Sequence, residues 1–136
     1  MIPFTLNVKT LATANLAFQI LLIFTASVAS YFAINKDFKR HCALIRIAVL
    51  FQIIIVAAFM LPSMTGYLKI GILSNPEMLI HHALGLLVII LWIYINLVMG
   101  KMIRRPKKFI ISMKLAFLLW FLAFLLGLHM YLRIYT

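Results

Sequence analysis

The chain has 136 residues, of which 66% are hydrophobic and only 11% charged, against about a quarter charged in soluble domains. A soluble chain this short could not hide so much apolar surface in one core, so lipid must be the solvent over most of its length. The formal net charge of +11 does not point to nucleic acid. The basic residues lie between apolar runs, as in membrane-protein loops, and not on a soluble basic face.

Four apolar runs of bilayer length follow in order, at about residues 11–33, 42–61, 78–100 and 109–132. The first holds Asn15 and Gln19 one turn apart. It is too long for a cleavable signal peptide, and Lys9 is its only early basic residue, so it is expected to be retained as a span. The second has Arg46 near its start and Gln52 mid-span, and Pro62 stops it. The third holds His81, His82 and, near its end, Asn96; the fourth holds Lys114 and His129. Asn15, Gln19, Gln52 and Asn96 read as interhelical hydrogen-bond glue. Ala26, Ser27, Ala29, Ser30 and Ala33 give the first span a small-residue stretch that should pack on another helix.

Ten of the thirteen basic residues lie in or beside two connections: Lys36, Lys39, Arg40 and Arg46 in one, and Lys101, Arg104, Arg105, Lys107, Lys108 and Lys114 in the other. The positive-inside rule places both connections in the cytoplasm. The expected fold is therefore an all-α integral membrane protein, a four-transmembrane-helix antiparallel bundle with both termini outside, forming one domain over residues 1–136. The remaining connection, from Ser63 to Glu77, carries Gly66, Gly71, Asn75 and Pro76 and reads as turn-rich. Tyr67, Tyr131 and Tyr135 read as an outer aromatic belt.

Histidines inside apolar runs are costly unless something uses them. In this topology His82 lies about four residues inside the outer surface on the third span, and His129 about four residues inside it on the fourth, each about 6 Å deep. Both sit on successive antiparallel helices, whereas His41 lies at the cytoplasmic start of the second span. His82 and His129 are thus the candidate metal ligands, with His81 as the substitute. His81 lies one turn after Glu77, so these two can share a face and a charge-assisted hydrogen bond. Gly85 leaves room beside His82 for a flat macrocycle, and Arg133 could pair with haem propionates. Haem b held by two neutral imidazoles would be low-spin and suited to electron transfer. The bland alternative is that these are interfacial histidines whose polar tips reach water.

Met60, Met64, Met78 and Met130 fall near the same end, and thioethers with imidazole suit Cu(I), so copper is the alternative metal. Soluble-type catalysis has little support. The only acids are Asp37 and Glu77, no glycine-rich phosphate loop occurs, and no serine or cysteine stands beside a credible base. The single cysteine, Cys42, excludes an internal disulfide.

Three stretches carry a resemblance: Lys39-Arg40-His41 opening a span, Leu79-Ile80-His81-His82-Ala83-Leu84-Gly85, and Trp120 to Tyr131 with Gly127 between. Over roughly residues 36 to 135 the chain resembles a family of small multi-pass membrane proteins linked to assembly of haem–copper cytochrome oxidase. On that resemblance, His41 and either His81 or His82 match family histidines. The chain departs from the family where a histidine would open the last span, since residues 109–114 hold none, and His129 is not a family position. More loosely, the layout is similar to four-helix membrane b-type cytochromes. The resemblance implies a respiratory oxidase system in a prokaryotic plasma membrane, with oxidase subunits as partners. The expectation is a haem-b-binding component for electron transfer or oxidase assembly. The alternatives are a cofactor-free accessory subunit of a larger membrane complex and, with few buried charges to line a pathway, a transporter.

Overall fold

A computed structural model describes residues 8–62 and 75–136. The expected turn-rich connection, with Met64, Gly66, Tyr67 and Gly71, lies outside the described residues. The described residues are all-α. Among them four helices are long and apolar enough to cross a membrane: α1 (Val8–Ile34), α2 (Phe38–Ile55, continued by a π-helical turn over Val56–Met60), α3 (Pro76–Met99) and α4 (Phe109–Tyr135). They fall into two compact units, α1 with α2 and α3 with α4.

The helices overrun the apolar runs because capping chemistry, not hydropathy, sets their ends. Asp37 caps α2 by accepting from the Arg40 N–H at 3.2 Å. Asn75 caps α3 by accepting from the Glu77 N–H at 3.1 Å, and Pro76 follows at the first helical position, where its missing N–H costs nothing. Asn75 and Pro76, read from the sequence as a turn, are thus a helix start.

α1 and α3 end alike. In α1 the Lys36 N–H reaches Ala33 O at 3.1 Å and the Asp37 N–H reaches Phe32 O at 2.9 Å; in α3 the Lys101 N–H reaches Val98 O at 3.1 Å and the Met102 N–H reaches Leu97 O at 3.0 Å. This is the Schellman pattern, whose left-handed residue is usually glycine. Here it is lysine both times, Lys36 at φ 62° and Lys101 at φ 61°.

In the first hairpin the buried positions of α1 are Gln19, Leu22, Ala26 and Ala29, spaced by three and four residues, and those of α2 are Ala48, Val49, Gln52 and Ile55. Small side chains let α1 and α2 approach closely. The small-residue stretch of α1 therefore divides: Ala26 and Ala29 are fully buried, while Ser27 faces outward and returns its hydroxyl to Ile23 O. Gln19 donates to Gln52 across the hairpin at 2.9 Å, with both side chains buried. That is the interhelical glue expected of this pair, and such bonds average roughly 0.6 kcal/mol in membranes. Asn96 does otherwise and donates to Trp92 O of its own helix at 2.9 Å. The π-helical turn of α2 precedes Pro62, which has no N–H to complete a regular last turn.

Candidate functional site

The α3–α4 hairpin brings together the histidines and the one acid of the apolar runs. On α4 the buried positions Phe109, Ala116, Trp120, Ala123 and Met130 recur at intervals of three, four and seven, and Gly127 falls in the same series. That spacing marks one stripe of a helix. On α3 the stripe runs through His81, Val88 and Trp92, of which Val88 and Trp92 are buried. Four contacts hold the two stripes together. From one end to the other they are Glu77 with Arg133, His81 with Ala123, Trp92 edge-on to Trp120 at 4.9 Å, and Tyr94 against Phe109 at 6.4 Å.

His81 is the histidine that reaches α4. Its Nδ1 lies 2.9 Å from Ala123 O. A carbonyl only accepts, so Nδ1 is the donor. The same carbonyl takes the helical N–H of Gly127 one turn on. The imidazole can sit over it because residue 127 has no side chain: a Cβ there would come 2.9 Å from His81 Cε1. The ring itself thus fills the gap between α3 and α4 at this level, and a flat macrocycle there would have to displace it.

The two residues expected as metal ligands have local partners. His82 turns back along its own helix, with Nδ1 2.7 Å from Met78 O, and stands edge-on to His81 with ring centroids 5.5 Å apart. His129 is 61% exposed, and its Nδ1 lies 3.9 Å from Glu77 Oε2. Glu77 was expected to bond His81; its partner is instead Arg133, whose Nη1 donates to Oε1 at 3.1 Å and lies 3.0 Å from Oε2. The physical reason is the antiparallel register, which brings the first turn of α3 beside the last turn of α4, where the guanidinium offers full charge. Arg133, expected to meet haem propionates, is engaged there. Gly85 has open space beside it, since an added Cβ would meet nothing within 4 Å. The glycine on which a side chain of the facing helix rests is Gly127.

His41, in the first hairpin, has the same kind of contact as His81: its Nδ1 lies 2.8 Å from Ala29 O on α1. Among the described residues no three His, Cys, Asp or Glu side chains are grouped to hold one metal ion. Of the methionines considered for copper, Met130 is buried in the α4 stripe and Met64 lies outside the described residues. Reasoning from the sequence passed over Ala123 and gave Gly127 and Trp120 no packing role, although residues 116, 120, 123, 127 and 130 carry a legible small-and-large stripe.

Compared with family models, curated proteins and solved structures, the chain matches none.

Proposed function

We propose that the chain is an accessory protein of a larger membrane complex, and that His41 and His81 fasten helix to helix. One observation carries this reading. His81, the most enclosed of the pair in the α3 run, gives its ring N–H to Ala123 O of the neighbouring helix and rests on Gly127. His41 uses its own ring in the same way in the other hairpin. The resemblance of residues 39–41, 79–85 and 120–131 to the oxidase-assembly family directs the choice of partner to a subunit of a haem–copper oxidase in a cell membrane.

A second reading has its own support. His82 donates its Nδ1–H to Met78 O, which leaves Nε2 outside that bond, and ligating histidines are commonly held this way. A haem b would then be held by His82 from the flank of α3, beside the open space at Gly85, with His129 or a partner residue as second ligand. Such a haem would supply one-electron transfer.

The visible spectrum of the protein purified from its native membrane, read together with the proteins that accompany it, separates the two. The accessory reading expects an oxidase subunit among the accompanying proteins, and no Soret absorbance beyond that of the oxidase's own haem. A Soret band lost in His82→Ala and kept in His41→Ala would establish the second reading; the absence of oxidase subunits would remove the first.

We place both termini outside, on the ten-to-three division of basic residues. With Cys42 replaced by serine, a cysteine introduced as Asn75→Cys should react with an impermeant reagent added outside, and Pro106→Cys should not. The opposite pattern inverts the topology.

A further inference from the structure

The connection between α3 and α4 carries five basic residues in eight, Lys101, Arg104, Arg105, Lys107 and Lys108, and no acid follows Glu77 anywhere in the chain. A topology signal needs only this charge; it does not need a shape. The connection has one.

Its first turn is pinned by main-chain bonds from Lys101 to Val98 and from Met102 to Leu97. Lys101 occupies the left-handed position of that turn at φ 61°, where glycine would be unstrained, although Gly100 stands one residue away. The Arg105 guanidinium lies over the Phe109 ring, 5.4 Å from its centroid, and Phe109 is itself buried at the start of α4. That anchors one cation in place. Between the charges Met102 is 77% exposed and Ile103 is also exposed.

We propose that residues 101–108 form a binding site for the phosphate groups of anionic phospholipids. The cations meet the headgroup phosphates, and Met102 and Ile103 enter the acyl boundary beside them. A soluble phosphate ion would meet the same cations but would have no use for the two apolar side chains, so the lipid is the source that fits.

The test uses the full chain in nanodiscs of phosphatidylcholine titrated with phosphatidylglycerol, with bound lipid read by native mass spectrometry. Arg104→Gln/Arg105→Gln/Lys107→Gln/Lys108→Gln is expected to weaken phosphatidylglycerol binding about tenfold or more. Lys101→Gly is the sharper variant. It should weaken binding about fivefold, which is what one cation near an anionic surface contributes, while thermal stability stays equal or rises because the strain is relieved. Inorganic phosphate should not displace the lipid. Wild-type binding in Lys101→Gly and in the fourfold variant, with helicity retained, would reduce the connection to a topology signal and overturn the proposal. Displacement by inorganic phosphate would overturn it in favour of a soluble anion.

Discussion

Truncating Trp120 to alanine is expected to weaken the α3–α4 hairpin by roughly 3 kcal/mol. Trp120 and Trp92 are both buried and meet edge-on at 4.9 Å near the middle of their helices. In a soluble core a Trp→Ala change costs about 3–5 kcal/mol, part of it lost transfer from water. Between lipid-embedded helices that part falls away, because lipid is as apolar as the core, and packing remains. What is lost is the cavity term and the aromatic pair, the latter about 0.5–1.5 kcal/mol. Trp120→Phe keeps an aromatic edge against Trp92 and should lose only about 1 kcal/mol on the same grounds. The chain has two tryptophans, so each variant leaves Trp92 as the sole indole reporter. Its fluorescence during unfolding in mixed micelles gives both values. Equal losses for alanine and phenylalanine would mean that the pair does not hold the seam.

The four helices were legible because 20-odd apolar residues between basic connections admit one backbone solution in lipid. Their ends were less so, since Asp37, Asn75 and the lysines in left-handed turns act through local hydrogen bonds that hydropathy does not register. That Gln19 and Gln52 bond across helices agrees with their reading as interhelical glue, but which amides pair was not legible, since Asn96, read the same way, bonds its own helix. The seam of α3 could not be phased. A lipid-facing side is as apolar as a helix-facing one, so no polar face tells which way the helix turns, and His81 and His82 differ by about 100° of rotation. Depth arguments favoured His82 as ligand; the ring that crosses to α4 is that of His81, which rests where Gly127 has no side chain. Glu77 and His81 share a face on the wheel, yet the carboxylate goes to Arg133 because a full positive charge outcompetes an imidazole. Local spacing could not anticipate a partner 56 residues away.

Gly127→Ala is the change that isolates this histidine. The added Cβ would lie 2.9 Å from His81 Cε1, closer than packed carbons tolerate. Either the helices part or the ring swings off Ala123 O. Overpacking costs about 1–3 kcal/mol, and an interhelical hydrogen bond lost in the membrane roughly 0.6 kcal/mol. Against this, alanine is about 1 kcal/mol better than glycine inside a helix. The balance is a net loss of about 1–2 kcal/mol. The sign should reverse when the ring is absent: in a His81→Ala background nothing remains for the new methyl to strike, so Gly127→Ala should be neutral or stabilising by up to about 1 kcal/mol. A double-mutant cycle on these two positions reads the coupling directly. If the loss at Gly127 is the same with and without the His81 ring, the imidazole is not what fills the seam.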